Sequence, residues 1–164
     1  MEQMRFCPWC GSGLGTREIE GKQYAACGAE GCGYVFWDNP LTVVAAIVEH
    51  EGAVILARGK GWPAGMFGLV TGFLEKGESP EDAVIREVKE ELGLNATLRG
   101  LVGIYPFFQK NQLILAYDLT AEGEITLNEE LEEVRHVSPD RLKAWSFGTG
   151  LAVQGWLDKR KGGG

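Results

Sequence analysis

The 164-residue chain is 45% hydrophobic and carries a formal net charge of -7. That is apolar content for one good core with a minor appendage, not for two large domains. The negative balance excludes a protein whose main business is non-specific adhesion to nucleic acid or anionic lipid, though a metal-neutralised anion can still be held locally. The sequence has no charged-then-apolar leader and no apolar run of the ~18 or more residues that would span a bilayer, so the expectation is a soluble, cytoplasmic protein with no membrane partner.

All four cysteines fall at the start of the chain, as Cys7-Pro8-Trp9-Cys10 and Cys27-Gly28-Ala29-Glu30-Gly31-Cys32. Two close pairs separated by a hairpin's length of chain place four thiolates in a tetrahedron around zinc, with glycines inside and beside the knuckles for the tight turns. Residues 1–38 are therefore expected to form a zinc ribbon holding one structural Zn²⁺, with strands at 23–26 and 33–36. Two structural disulfides are the alternative, disfavoured without a leader. A redox Cys-x-x-Cys site leaves the second pair without a role. The ribbon is read as tying down an end too small to fold alone, with an oligomer or substrate surface as the other readings.

After residue 38 the texture becomes that of an ordinary core domain, expected over 39–161. Residues 42–48 (TVVAAIV) and 53–57 (AVILA) are β-branched strands joined by a turn at 50–52, and 72–74, 98–105, 113–119 and 133–137 are further strand candidates. The strongest helix lies in GESPEDAVIREVKEELG, residues 77–93. Ser79 is placed to N-cap, Pro80 fits the first helical position, Asp82 faces the cap, Gly93 ends the helix, and Ala83, Val84, Val88 and Leu92 form the apolar stripe. Further helices are expected at 139–145 and 151–160, and the 162–164 tail is expected to be disordered. The predicted fold is α/β (α+β mixed): a mixed sheet sandwiched by helices, behind a small ribbon.

That helix carries an unusual load of acid. At ~100° per residue Glu87 and Glu91 share a face with Glu90 beside them, and like charges one turn apart cost ~0.2–0.5 kcal/mol per pair. Arg86 is expected to reach Glu90, and Asp82 to reach Arg86, which offsets only part of the repulsion. A hard divalent cation reverses the sign, because Mg²⁺ takes one or two carboxylates, retained waters and substrate phosphate oxygens. A solvated acidic face is the bland alternative.

The complete string decides between them. Gly72, five residues, Glu78, seven residues, Arg86-Glu87-Val88, one residue, Glu90-Glu91, one residue, Gly93-Leu94 resembles the Nudix box at every defined position. The resemblance extends from about residue 40 to 161, and a ribbon ahead of it is similar to the arrangement in NADH pyrophosphatases and related ribbon-bearing Nudix proteins. It implies an α/β/α sandwich and a Mg²⁺- or Mn²⁺-dependent pyrophosphatase that cleaves a nucleoside diphosphate derivative to two monophosphates. It also implies roles: Glu87 and Glu91 as main metal ligands, Glu90 as an additional ligand or water-orienting group, and Glu78 as support for the metal site or as the ligand of a further magnesium ion. Arg86 holds the glutamates by salt bridges, and the Thr71 carbonyl is a further metal ligand. The family's general base commonly lies outside the box, which points to the 128–133 segment NEELEE and, within it, to Glu130 and Glu133.

Substrate is less determined. The motif S-Q-P-W-P-F-P-x-S of NADH pyrophosphatases is reduced here to Gly103-Ile104-Tyr105-Pro106-Phe107-Phe108-Gln109, so ADP-ribose, FAD, NADH and dinucleoside polyphosphates all stay open. Tyr105, Phe107, Phe108, Trp37 and Trp62 are candidate stacking partners for a base or flavin ring, each with core packing as its alternative. His136 is read as a structural or rim histidine, since no Ser or Cys nucleophile accompanies it, and His50 as a surface turn residue. A non-catalytic nucleotide sensor is a second class, but such proteins usually lose box acids and this chain has kept all of them. Nucleic acid is an unlikely partner: residues 1–38 offer Arg5, Arg17 and Lys22 against Glu2, Glu18, Glu20, Glu30 and Asp38, with no basic stripe for phosphates. Hydrolysis of capped RNA needs a basic path elsewhere, such as one formed in a homodimer.

Overall fold

The chain divides at Asn39/Pro40 into two compact units. The computed structural model describes residues 4–162. In the first unit β1 (Leu14–Ile19), β2 (Lys22–Cys27) and β3 (Val35–Phe36) form an antiparallel sheet in that order. The sequence reading missed β1, whose LGTREI is exposed along most of its length and lacks an apolar alternation. The cysteine knuckles hang off this sheet.

In the second unit the strands are β4 (Leu41–His50), β5 (Ala53–Gly59), β6 (Val70–Phe73), β7 (Asn95–Phe107), β8 (Gln112–Glu122) and β9 (Leu131–Val137), with helices α1 (Pro80–Leu92) and α2 (Gly150–Gly162). The sheet runs β7-β8-β4-β5-β9, with β6 on β4. It is mixed because β4 and β8 are parallel while the other pairs are antiparallel. Strand alternation sorts β4 between two cores. Val44, Ala46 and Val48 pack with Ala83, Val84, Val88 and Leu92 of α1, whereas Val43, Ala45 and Ile47 pack with Ala152, Val153 and Trp156 of α2. The central strand is buried on both faces, as a near-continuous β-branched run requires. Among the described residues no helix is long and apolar enough to cross a membrane.

Helix α1 begins and ends as its residues dictate. The Ser79 hydroxyl accepts from the Asp82 N–H at 3.1 Å and donates to the Asp82 carboxylate at 2.7 Å, and Gly93 closes the helix in the left-handed conformation. Asp82 is thus engaged at the cap, not with Arg86 as expected.

Three further expectations are corrected. Residues 139–145 form a turn, not a helix: the Leu142 N–H reaches the Ser138 carbonyl at 3.0 Å, but the segment then runs into Ser-Phe-Gly-Thr-Gly, too poor in helix formers to propagate one turn. His50 is buried, not a surface residue; its Nε2 lies 3.0 Å from the Gly123 carbonyl and its Nδ1 3.1 Å from His136 Nε2. Gly162 is the last residue of α2, and the remainder of the expected tail lies outside the described residues.

Candidate active site and metal centres

In the first unit the turns bring all four sulfurs within 4.8 Å of one another, with Cys7 Sγ 3.6 Å from Cys32 Sγ and Cys10 Sγ 3.5 Å from Cys27 Sγ. Thiolates ~2.3 Å from a tetrahedral zinc stand ~3.8 Å apart, whereas disulfide sulfurs are separated by ~2.05 Å. The four cysteines are free, and the donor set suits zinc. Hydrogen bonds from the Ser12 hydroxyl and backbone hold the Cys10 thiol down at about 6, whereas the Cys27 and Cys32 thiols are raised, against hydrogen bonds from the Ala29 and Tyr34 backbone, by burial and the neighbouring thiols.

In the second unit the box residues gather around Arg86. Its guanidinium donates to both Glu78 oxygens at 2.8 and 3.1 Å, to Glu87 at 2.8 Å, to Glu90 at 3.1 Å and to the Phe73 carbonyl at 3.3 Å. Glu78 also accepts from the Glu75 N–H at 2.7 Å, so both its oxygens are occupied in bracing the loop before α1. Glu87 lies against β6 where Gly72 has no side chain; a Cβ there would overlap its carboxylate. Glu91, one turn on, is 7% exposed.

The fourth acid comes from far along the chain, and local chemistry aims it. After β8 the chain folds back onto the C-terminus of α1, where the Thr126 N–H bonds the Leu92 carbonyl at 2.8 Å and the Asn128 N–H bonds the Glu91 carbonyl at 3.2 Å. The Asn128 side chain then accepts from the N–H groups of Glu130 and Leu131 at 3.0 and 3.2 Å, an Asx turn that holds Glu130 at the rim. Glu87, Glu90, Glu91 and Glu130 line one cavity of about 520 Å³, together with Thr71 and Gly72. Glu133 does not line it. Glu133 is engaged by Arg58 at 3.1 Å and Arg135 at 3.1 Å, with the Arg135 hydrogen bond first among the contacts that hold its carboxyl below the usual range.

The electrostatics follow from this placement. Burial pushes the Glu91 carboxyl up to about 8, reinforced by the charges of Glu87, Glu130 and Glu90. Burial also raises Glu87, against the opposing pull of Arg86, while the Arg86 hydrogen bond lowers Glu78. Among the described residues only the cysteine cluster converges tightly enough to enclose an ion with side chains alone. The acidic cavity is more open, which fits Mg²⁺: it keeps several waters and needs only one or two carboxylates. Its carboxylate donors are all hard oxygens, and the side-chain-free Gly72 leaves the room in which the Glu87 carboxylate lies along β6.

The aromatic candidates separate. Phe107 lines a second cavity of about 330 Å³ with Trp62, Phe67, Trp145 and Phe147. Tyr105 is partly buried against the α2-side cluster with its hydroxyl against Gly155, burial raises its pKa, and it lines neither cavity. Phe108 is 84% exposed and lines neither cavity. Trp37 belongs to the first unit, where its ring meets Tyr24 edge-on at 5.1 Å. Sequence reasoning missed Phe67, Trp145 and Phe147 as cavity walls, along with Lys110 and Gln112, which border both cavities. The clustering of aromatic and glycine residues in 59–68 and 145–148 was the available signal.

The site is thus an acid-bearing helix facing a glycine-opened strand, inside an α/β/α sandwich. The NUDIX domain matches residues 38–152, and the chain belongs to that family. It is 34% identical over 150 residues to the NAD-capped RNA hydrolase NUDT12 of Macaca fascicularis, covering 84% of this chain and 32% of that protein. It is 31% identical over 117 residues to the NAD-capped RNA hydrolase NudC of Vibrio atlanticus, covering 71% of this chain and 42% of that protein. The chain thus spans less than half the length of either relative. The ADP-ribose pyrophosphatase of Methanocaldococcus jannaschii is 26% identical over 136 residues, covering 79% of this chain and 80% of that one. The same fold recurs in a NUDIX hydrolase from Nitrosomonas europaea, with TM-score 0.82 and 24% identity over 98% of this chain and 94% of that one.

Proposed function

We propose that this protein is a magnesium-dependent hydrolase that cleaves the diphosphate linkage of a nucleoside diphosphate derivative of the NAD or ADP-ribose class, releasing two monophosphates. The observation that carries this reading is the return of the 123–130 loop onto α1, which sets Glu130 in the same cavity as Glu87 and Glu91. Relatives named as NAD-capped RNA hydrolases and as an ADP-ribose pyrophosphatase support the substrate class.

Glu87, Glu91 and the Thr71 carbonyl would hold the ion, with the more exposed Glu90 as a further ligand. Bound magnesium, or manganese in its place, would offset the charge of the diphosphate oxygens and acidify a coordinated water. Arg86 keeps the glutamates aimed while leaving their remaining oxygens for the ion. Glu130 takes the proton as a water oxygen attacks one phosphorus; one P–O bond forms, the bridging P–O bond breaks, and the bridging oxygen leaves on the other phosphate. The four cysteines of the first unit hold a structural zinc.

Product analysis of the purified protein with Mg²⁺ against ADP-ribose, FAD, NADH, NAD, diadenosine polyphosphates and NAD-capped RNA tests this. AMP or a second monophosphate released from one compound with a far higher kcat/KM identifies the substrate. Preference for the capped RNA over all free nucleotides moves the substrate to RNA ends. Binding of these compounds without cleavage of any overturns the hydrolase reading in favour of a nucleotide sensor.

A further inference from the structure

The acidic cavity and the aromatic cavity are neighbours with shared walls: Val43, Thr71, Lys110 and Gln112 border both. Their chemistries are opposite. Acids crowd the first, whereas among the described residues Lys110 is the only charged side chain lining the second. Arg86, the other cation at the acidic cavity, is already committed to Glu78, Glu87 and Glu90. Among the described residues Lys110 makes no ion pair, and its ammonium stands 6.0 Å from the Phe107 ring centroid.

Lys110 is held at this junction by the turn between β7 and β8. Residues Phe108–Lys110 form a single 3-10 turn, and Asn111 in the left-handed conformation returns the chain into β8. The Leu41 N–H bonds the Asn111 carbonyl at 2.9 Å, tying that turn to the start of β4. Lys110 and Gln112 therefore lie at the boundary between the two cavities, on a segment anchored to the central strand, with Phe107 on its aromatic side.

We propose that Lys110 is a phosphate-binding residue, gripping the phosphate next to the nucleoside while the planar base lies among Trp62, Phe107 and Phe147. This rests on the hydrolase reading above for the identity of the acidic cavity. A lysine ammonium is a compact point charge that suits a phosphate oxygen without demanding a fixed approach, and aromatic faces accept a flat ring of any hydrogen-bonding pattern. At about 330 Å³ the cleft lies at the small end of the ~300–1,000 Å³ range for small-molecule sites, so it takes one nucleoside and leaves the other half of the substrate outside it.

Tryptophan fluorescence titrations with AMP and with adenosine, in Mg²⁺, test the assignment on the whole chain, since AMP has no diphosphate bond to cleave. Wild type is expected to bind AMP more tightly than adenosine. Lys110→Met should weaken AMP about tenfold and leave adenosine nearly unchanged, because it removes the charge-assisted contact to the phosphate. Phe147→Ala should weaken both ligands. In turnover, Lys110→Met should lower kcat/KM by at least the same tenfold factor. Equal AMP affinity in wild type and Lys110→Met overturns the assignment, as does an AMP affinity no better than that of adenosine. AMP binding that depends on Lys110 without hydrolysis of any diphosphate would leave this site standing and remove the hydrolase reading, so the two failures are distinct.

Discussion

Gly72 on β6 and Glu87 on α1 stand so close that a Cβ on the glycine would occupy the space of the Glu87 carboxylate. The strand and the helix are packed against one another there, and only the absence of a side chain lets the carboxylate lie along the strand. Gly72→Ala would be relieved by swinging the end of the Glu87 side chain aside, since that end is flexible. Thermal stability should then change little, while turnover falls about 100-fold or more because a ligand is displaced by an ångström or so. Scanning calorimetry beside steady-state kinetics checks the split, and a large loss of Tm would point to a backbone shift instead.

Arg86 is the single cation shared by three glutamates, so its removal changes their geometry and their charge together. Arg86→Lys keeps the charge but cannot make the paired hydrogen bonds to Glu78. The expected result is a higher Mg²⁺ concentration for half-maximal activity and a stability loss of about 1–2 kcal/mol, read by denaturant titration.

Glu130 and Glu133 are separated by their partners. Glu130→Gln should lower kcat by about 10²–10⁴, the usual contribution of a positioned general base. Glu133→Gln breaks half-exposed ion pairs with Arg58 and Arg135 and should cost less than about 1 kcal/mol while leaving kcat within a few-fold.

The Glu91 proton gives metal-free protein a pH signature. Its carboxyl titrates at about 8 folded against an ordinary value of 4.5, so between those values the folded state binds more protons than the unfolded one. Stability without metal therefore falls as pH rises through that window and levels off above about 8. Glu91→Gln should flatten the slope. Added Mg²⁺ should raise Tm by an increment that grows with pH, since the ion binds the deprotonated carboxylate. Melting curves from pH 5 to 9 in chelator and in Mg²⁺ read both effects.

For the first unit, metal analysis should return one zinc per chain, and Cys10→Ser should lose it. Zinc-free protein with an unchanged melting profile would contradict a structural ion.

Helix α1 was legible because Ser79, Pro80, Asp82 and Gly93 act locally and the Ala83, Val84, Val88, Leu92 stripe repeats at the helical period. Strands β4 and β5 were legible from their β-branched runs, whereas β6 was expected at 72–74 and lies at Val70–Phe73. What escaped was set by distant contacts. His50 lies at a turn in sequence, yet Gly123 and His136, far along the chain, bury it. Tyr105 and Phe107 sit two apart in one strand and belong to the same core cluster, yet only Phe107 reaches a cavity wall. Glu130 could be distinguished from Glu133 only once the Asn128 turn and the Arg58 pair were visible.

The central claim is that the buried acid of α1 binds the ion that drives diphosphate cleavage. Its most direct test is the rate of AMP release from ADP-ribose or NADH as a function of Mg²⁺, for wild type and for folded Glu91→Gln. Metal-dependent release by wild type and a loss of at least about 10³-fold in Glu91→Gln is the expected result. Turnover that survives in Glu91→Gln with an unchanged Mg²⁺ requirement would contradict it.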